Sequence, residues 1–231
     1  MTNPTRLPAL DLARGIALIG MVVFHTTFDL EMFGFLEQGT ATSTGWKIFA
    51  RSVAGAFVLL AGVSLVLAHG SGIRWRAFIR GTGVIALAAA GVSVATFLAF
   101  PRAFVFFGIL HAIALFRLMG LPLRNAPVPV LIALGAVIWA APYLVQFPAF
   151  DSRWLAWIGF SVHPPFSVDL EPIFPWFGPF LMGMAAARCG LAPRWQVTGA
   201  LVWAGRNSLW IYLAHQPILL GALWLWVVGL S

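Results

Sequence analysis

Arg14 and His25 stand at the two ends of ten consecutive uncharged residues in the segment RGIALIGMVVFH. On an α-helix each residue turns the chain by about 100°, so eleven steps bring His25 back to within about 20° of Arg14. The two residues are then separated by about 16 Å along the axis, roughly half the thickness of a bilayer core. A guanidinium suits anions, and an imidazole exchanges protons near neutral pH. One helix face is therefore predicted to carry both an anion-binding end and a proton-accepting site.

Two further histidines lie inside apolar segments, where ionisable side chains usually face a bundle interior or a wet cavity. His111 falls near the middle of the fourth apolar segment, and His215 near the middle of the last one. With His25 they place three histidines at comparable depth on three predicted helices. Two interpretations stay open: each histidine bonds a neighbouring carbonyl to fix helix packing, or the three share a cavity and carry proton chemistry.

Acidic and basic residues extend this pattern along the first helix. Asp11, Arg14, His25 and Asp29 share one polar stripe. Asp11 and Arg14 are interpreted either as an ion pair that anchors the helix end or as part of an anion site at the cytoplasmic mouth.

A second candidate for anion binding lies at the start of the last helix. Arg206 is followed there by Asn207 and Ser208. A helix N-terminus adds free N–H groups and a positive dipole to such a site. In the loop before the sixth helix, the acids Asp169 and Glu171 beside Trp176 could hold a polyol or an amine, or could simply be solvated.

Composition fixes the class of protein that must position these residues. Of 231 residues 61% are hydrophobic and only 9% are charged, with a mean hydropathy of +0.92. Soluble domains carry about a quarter charged residues, and apolar stretches of about 20 residues match a bilayer. The sequence predicts an all-α polytopic membrane protein, a single domain over residues 1–231. About seven spans are expected, near 12–35, 46–69, 77–99, 103–119, 127–147, 173–190 and 206–229.

Basic residues predict the orientation of these spans. With a cytoplasmic N-terminus the inner side receives ten of the 14 arginine and lysine residues, which satisfies the positive-inside rule and leaves the C-terminus outside. The inner ten are Arg6, Arg14, Arg74, Arg76, Arg80, Arg117, Arg124, Arg188, Arg194 and Arg206. The formal net charge of +7 is thus a topology signal, and no nucleic-acid partner is expected.

Familiar soluble-enzyme motifs are absent from the sequence. It contains no HExxH, CxxC, GxSxG, P-loop or dinucleotide fingerprint, and no metal site is expected. The single cysteine, Cys189, excludes an internal disulfide. Any chemistry is therefore expected to rest on histidine.

Four blocks carry a resemblance to a known family: LDLARGIALIGMVVFH, FGILHAIAL, PWFGPFLMGMAAAR and GRNSLWIYLAHQPIL, in this order. Together they resemble the bacterial relatives of heparan-alpha-glucosaminide N-acetyltransferase, within the wider transmembrane acyltransferase superfamily. The Arg14 and His25 pattern is also similar to the signature of the integral-membrane acyltransferase-three family.

This resemblance implies transfer of an acyl group, with acetyl-CoA or another acyl-CoA as cytoplasmic donor, to an acceptor that is often a sugar. It implies that His25 is catalytic and that Arg14 lies beside CoA. We expect His25 to act as general base, with His111, or His215 with Gln216, polarising the thioester carbonyl. A covalent acyl-histidine is the alternative. The remaining expected CoA-binding residues are Asp11, Arg206, Asn207 and Ser208, and the expected acceptor-binding residues are Asp29, Trp176, Asp169 and Glu171.

The expected location is the bacterial inner membrane. The expected partners are membrane lipid, acyl-CoA and a carbohydrate or lipid-linked acceptor, and homo-oligomerisation is left open. Two other function classes are compatible with the sequence: a proton-coupled transporter or flippase that uses the intramembrane histidines, and a scaffold subunit without chemistry. Release of free thiol from acyl-CoA by the purified protein separates the enzyme from both.

Overall fold

The computed structural model describes residues 7–192 and 195–230, and across these ranges its regular structure is helical. Short 3-10 helices, Pro148–Asp151 and Ala156–Ile158, lie between the fifth and sixth α-helices. The α-helices of the described ranges are α1 Pro8–Met32, α2 Thr44–His69, α3 Trp75–Ala99, α4 Ile109–Leu123, α5 Val128–Leu144, α6 Ile173–Arg188, α7 Ala200–Arg206 and α8 Ser208–Leu230. The predicted all-α class is confirmed.

Helix length separates clear membrane spans from shorter apolar helices. Within the described ranges, four segments are long and apolar enough to cross a bilayer: α1, α2, α3 and the part of α8 from Ser208 to Gly229. The helices α4, α5 and α6 have 15, 17 and 16 residues. About 20 residues are needed to cross at 1.5 Å per residue, so length alone supports four spans, whereas the sequence predicts seven.

The start of α4 differs from the predicted start of the fourth span. The prediction placed that start near 103, but the helix begins at Ile109, after an extended Gly108. His111 therefore lies in the first turn of α4 and not near the middle of a span. The hydropathy window missed this because Phe104, Phe106 and Phe107 are apolar although they lie outside the helix.

The described residues form two compact units. One contains the residues up to Phe57 together with those from 195 onward, and the other contains Val58–Ala192. The first unit holds α1, α7, α8 and the first part of α2, and the second holds the rest of α2 with α3 to α6. Two positions that the predicted orientation counts as cytoplasmic, Arg6 and Arg194, lie outside the described residues.

Glycines let α7 pack closely on α1 in the first unit. A Cβ atom at Gly205 would overlap the backbone carbonyl of Asp11, and one at Gly15 would overlap the backbone carbonyl of Leu201. The two backbones therefore meet without a side chain between them. This contact brings the end of α7, with Arg206, beside the start of α1.

Aromatic and aliphatic side chains fill the second unit, in which α5 packs on α6 and α3 packs on α4. Phe116 of α4 contacts Phe177 and Phe180 of α6, with ring centroids 5.2 and 5.8 Å apart. Leu65 of α2 and Met184 of α6 are fully buried in the same unit. Burial of such side chains fixes α4 and α6 as supports for the loops at their ends.

Candidate active site

Two polar clusters lie along α1 in the first unit. The arginine cluster comprises Asp11, Arg14 and Arg206. The histidine cluster comprises His25, Asp29, His215 and Gln216. Both join α1 to the C-terminal part of the chain, and the continuous helix from Arg14 to His25 separates them by about 16 Å.

A buried carboxylate organises the arginine cluster. The Asp11 side chain is 1% exposed, and its Oδ1 accepts a hydrogen bond of 2.7 Å from Nη1 of Arg14. Its Oδ2 lies 3.4 Å from Nε of Arg206. The arginine side chains are 23% and 46% exposed, so their guanidinium groups reach beyond the protein interior. Asp11 therefore holds the two cations in place, and it is the arginines that can meet an anion.

Asn207 and Ser208 join α7 to α8 beside this cluster. The side-chain amide of Asn207 donates a hydrogen bond of 2.9 Å to the carbonyl of Trp203. Its backbone N–H donates to carbonyls in the last turn of α7. Its carbonyl accepts from Ile211 in the first turn of α8, which begins at Ser208. The Asn207 side chain is thus engaged in the corner between the two helices, and CoA binding by Asn207 and Ser208 stays a prediction.

The histidine cluster brings together residues almost 190 positions apart. The ring centroids of His25 and His215 are 4.9 Å apart in an edge-on arrangement. Gln216 donates a hydrogen bond of 2.7 Å from Nε2 to Oδ1 of Asp29, whose side chain is fully buried. Two histidines, a carboxylate and an amide therefore meet between α1 and α8.

The hydrogen bonds within the histidine cluster determine which of its atoms are still able to donate or accept. Nδ1 of His215 faces the Tyr212 carbonyl, which can only accept, so Nδ1 carries the hydrogen and neutral His215 keeps a lone pair on Nε2. Within the described part of the chain, four buried atoms of the cluster have no hydrogen-bond partner: His25 Nδ1, Asp29 Oδ2, His215 Nε2 and Gln216 Oε1. Buried polar atoms are rarely left unpaired, so this arrangement points to a ligand site.

The cluster presents mainly acceptors. Oδ2 of Asp29 and Oε1 of Gln216 accept hydrogen bonds, and so does Nε2 of neutral His215. A hydroxyl or an amine, which donates hydrogen bonds, suits these atoms. The predicted polarisation of a thioester carbonyl by His215 with Gln216 would need donors. The Nδ1–H of His215 and one of the two N–H groups of Gln216 are already bonded, so this role stays a prediction.

Aromatic residues around the histidines were missed by the sequence reasoning. The Phe24 ring packs edge-on against His25 and lies 6.4 Å from the ring of Trp46. The Tyr212 ring is 5.6 Å from His215. Tyr212 precedes His215 by three residues on one helix, a spacing that identifies it as a neighbour. Trp46 has no comparable local signal, because it belongs to α2.

His111 lies in the second unit and has a different environment. Its Nδ1 accepts a hydrogen bond of 3.2 Å from the backbone N–H of Gly108 at the start of α4. Its Nε2 lies 3.2 Å from Oγ of Ser93, whose own hydroxyl hydrogen goes to the Val105 carbonyl. Nε2 must therefore be the donor, and both ring nitrogens of His111 are engaged. This pattern is that of a helix-capping residue and not of a proton acceptor.

The predicted acceptor-binding acids also lie in the second unit. Asp169 accepts a hydrogen bond of 3.0 Å at Oδ2 from the backbone N–H of Ile109, so it caps α4 from a distant loop. Glu171 donates from its backbone to the Phe107 carbonyl, and Trp176 is a half-buried residue near the start of α6. The observed contact of the Asp169 carboxylate thus stabilises a helix end, and acceptor binding by Asp169, Glu171 and Trp176 stays a prediction.

Comparison with known proteins places this arrangement in a family. The model of the family described as heparan-alpha-glucosaminide N-acetyltransferase, catalytic, matches residues 6–217. Comparisons with curated proteins and with solved structures found no match. The match includes both polar clusters, from Asp11 to Gln216, and agrees with the helices that are able to cross a bilayer. The chain therefore belongs to the heparan-alpha-glucosaminide N-acetyltransferase catalytic family, a family of membrane acetyltransferases.

Proposed function

We propose that this protein transfers an acyl group, most simply acetyl, from cytoplasmic acyl-CoA to a hydroxyl or amine of a carbohydrate or lipid-linked acceptor. The observation that carries the proposal is the histidine cluster, whose buried acceptor atoms lack partners within the described residues. A hydroxyl or an amine is the group that these atoms can bind. The expected location is the bacterial plasma membrane, with the arginine cluster on the cytoplasmic side.

The separation of the two clusters fits the donor. Acyl-CoA carries phosphates at one end and its thioester at the other, so it needs cations at one end of a site and reacting groups deeper inside. Arg14 and Arg206 supply partly exposed cations held by Asp11. His25 lies about 16 Å further along the same helix. A donor bound by its phosphates at the arginine cluster thus has the histidine cluster within reach of its thioester.

His25 is the proposed general base. The acceptor oxygen or nitrogen attacks the thioester carbonyl carbon, the carbon–sulfur bond breaks, and the acceptor proton moves to His25. His25 then gives this proton to the departing sulfur, so that the products are the acylated acceptor and the CoA thiol. His215, Asp29 and Gln216 orient the acceptor through hydrogen bonds. General-base catalysis of this kind contributes about 10²–10⁴ to the rate.

A proton-coupled transporter or flippase is the second candidate. Two histidines with ring centroids 4.9 Å apart beside a buried Asp29 are also able to pass a proton along α1 and α8. A transporter needs a substrate gradient and releases no thiol. The two candidates therefore differ in a single measurement.

Thiol release by the purified protein tests the proposal. The full-length protein in detergent is mixed with acetyl-CoA and longer acyl-CoAs, in the presence of amino sugars and of a membrane lipid extract as acceptors. We expect acceptor-dependent release of CoA thiol. Acceptor-stimulated uptake into proteoliposomes without any thiol release would support the transporter and overturn the enzyme.

Substitution of His25 tests the base. An amide at this position keeps a hydrogen bond but takes up no proton at neutral pH. We therefore expect His25→Gln and His25→Ala to lose transfer by at least 10²-fold, while acyl-CoA still binds at the arginine cluster. His163→Gln, at an exposed loop histidine, is the matched control and should keep full activity. Transfer by His25→Gln at the wild-type rate would end the assignment.

A further inference from the structure

A groove in the second unit lies between α3 and α4 and is separate from the residues of the proposed reaction. Its cavity has a volume of about 760 Å³, within the range of about 300–1,000 Å³ that is typical of ligand sites. Thr82, Ala86 and Ala89 of α3 face Ala114, Leu115 and Leu118 of α4 across it. With His111 at the start of α4 included, the lining positions on each helix span about 10 Å along the axis. We call this cavity the α3–α4 groove.

The α3–α4 groove opens towards lipid. Ala86 and Leu118, which line it, are exposed. Only 11% of the most apolar window of α3 is buried, and Leu87 and Leu98 of this helix are each 75% exposed. In a membrane protein such an apolar exposed face contacts acyl chains. A lipid chain therefore has direct access to the groove.

Polar groups along the groove are already bonded inside the protein. The Thr82 hydroxyl accepts a hydrogen bond of 2.9 Å from Nε of Arg117. Both ring nitrogens of His111 form hydrogen bonds at the start of α4. The rest of the lining is aliphatic and aromatic. An alkyl chain matches these walls, whereas a sugar would lose its hydrogen bonds there.

One end of the groove is cationic and aromatic. Arg153 donates a hydrogen bond of 2.7 Å from Nη2 to the carbonyl of Arg102. Its guanidinium lies 5.2 Å from the ring centre of Phe104. These contacts orient the cation, and no ion pair of Arg153 occurs among the described residues. Trp157 and the 87% exposed Trp154 lie beside it, as tryptophans do at the level of lipid headgroups.

We propose that the α3–α4 groove binds one chain of an anionic lipid whose phosphate meets Arg153. The apolar length of the groove takes the alkyl chain, and the guanidinium at its end takes the charge. This site does not depend on the acyl transfer proposed above. The occupant is an anionic phospholipid of the surrounding bilayer, because the groove opens on the exposed apolar face of α3.

Lipid binding to the purified full-length protein tests the proposal without acyl-CoA. The delipidated protein in detergent is titrated with phosphatidylglycerol, phosphatidylcholine or a polyprenyl phosphate, and bound lipid is counted by native mass spectrometry. We expect one tightly bound anionic lipid. Ala86→Trp fills the groove from an exposed position and should abolish this binding. Leu87→Trp places the same ring on α3 at a 75% exposed position outside the lining, about 100° around the helix, and should keep it.

A second set of variants tests the role of the Arg153 charge, separately from the shape of the groove. Arg153→Gln should keep chain binding but lower the preference for phosphatidylglycerol over phosphatidylcholine by about fivefold, and Arg76→Gln, at an exposed cation outside the lining, should leave it unchanged. Equal lipid retention by Ala86→Trp and Leu87→Trp, with both proteins folded by thermal melting, would overturn the proposal. Tighter binding of polyprenyl phosphate than of phosphatidylglycerol would overturn the bilayer phospholipid as the occupant.

Discussion

His111 and His215 occupy similar settings in the sequence, yet their hydrogen bonds give them different chemistry. Gly108 and Ser93 engage both ring nitrogens of His111. The Tyr212 carbonyl engages only one nitrogen of His215, and the other is buried without a hydrogen-bond partner among the described residues. At the scale of a residue, the partners decide whether an imidazole supports a helix or stays able to accept a proton.

The same reasoning assigns a positioning role to Asp11 and binding roles to Arg14 and Arg206 within the proposed CoA site. Asp11 is buried and in contact with both guanidinium groups, so its charge is balanced inside the protein. An anion would be repelled by a bare carboxylate but attracted by two arginines around one carboxylate, which carry a net positive charge. In the proposed CoA site, Asp11 would therefore act only through the arginines that it holds.

Replacement of Arg14 tests this division. Arg14→Ala should weaken acyl-CoA binding about tenfold, because one charge-assisted contact with phosphate is lost. Arg14→Lys should recover part of the affinity, since a point charge still meets a phosphate. Isothermal calorimetry of the purified variants with acetyl-CoA measures both effects, and Arg76→Gln serves as the exposed control. Equal affinities in all of these proteins would leave Arg14 as a topology anchor only.

At the scale of elements, close backbone packing determines where Arg206 lies. Gly205 precedes Arg206 directly and touches the backbone of Asp11, the residue that pairs with Arg206. The contact that joins α7 to α1 and the ion pair that builds the site are therefore neighbours. A change in the packing of α7 on α1 should therefore displace Arg206 from Asp11 even when no charged residue is replaced.

A methyl group at Gly205 tests this link. Gly205→Ala forces the Cβ atom against a carbonyl that belongs to helix backbone and cannot rotate away. We expect a loss of about 3 kcal/mol in stability and a parallel loss of acetyl-CoA affinity. Gly221→Ala in α8 is the matched control, because nothing lies within 4 Å of its added Cβ. Melting in detergent together with calorimetry reports both effects, and an unchanged Gly205→Ala protein would contradict the packing.

The start of α4 is the second test at this scale. His111→Ala removes the capping bond and should lower stability by about 1 kcal/mol. A glutamine at this position is able to reach back to the same backbone N–H, so His111→Gln should retain most of the stability and all of the thiol-release activity. If His111→Gln were stable but inactive, His111 would have a catalytic role and not only a capping role.

The whole molecule raises the question of how many helices cross the membrane. Among the helices of residues 7–192 and 195–230, four have the length to cross, and α4 to α6 are shorter and apolar. Short helices can cross where the bilayer thins or where neighbouring helices cover their ends. If all seven predicted segments cross, ten of the 14 arginine and lysine residues lie on the side of the N-terminus, and the cytoplasmic N-terminus stays a prediction.

Reporter fusions measure this topology. With seven crossings, alkaline phosphatase fused after the last residue should be active, because the C-terminus would be outside. A fluorescent reporter at the same point should stay dark in the periplasm. Cytoplasmic fluorescence of that fusion would remove the seven-span model and leave an even number of crossings.

Local pattern was enough to predict much of this protein. Composition and hydropathy predicted helices close to where α1 to α6 and α8 lie, because an apolar run of helical length is a property of neighbouring residues. The pairing of Asp11 with Arg14 follows in the same way, since residues three apart share a helix face. The location of charged residues within these runs was sufficient to propose α1 as the helix that carries the chemistry.

Only the tertiary structure decided which distant groups meet. Asp11 contacts Arg206, and Asp29 contacts Gln216, across 195 and 187 positions. The capping of Ile109 by Asp169 spans 60 positions. Such contacts depend on the rotation and approach of packed helices, and helical periodicity within one segment carries no record of the partner helix. For Asp11 and Arg206 this approach is set by the glycines between α1 and α7. The sequence therefore supplied the histidines, and the packing selected His215 as the neighbour of His25.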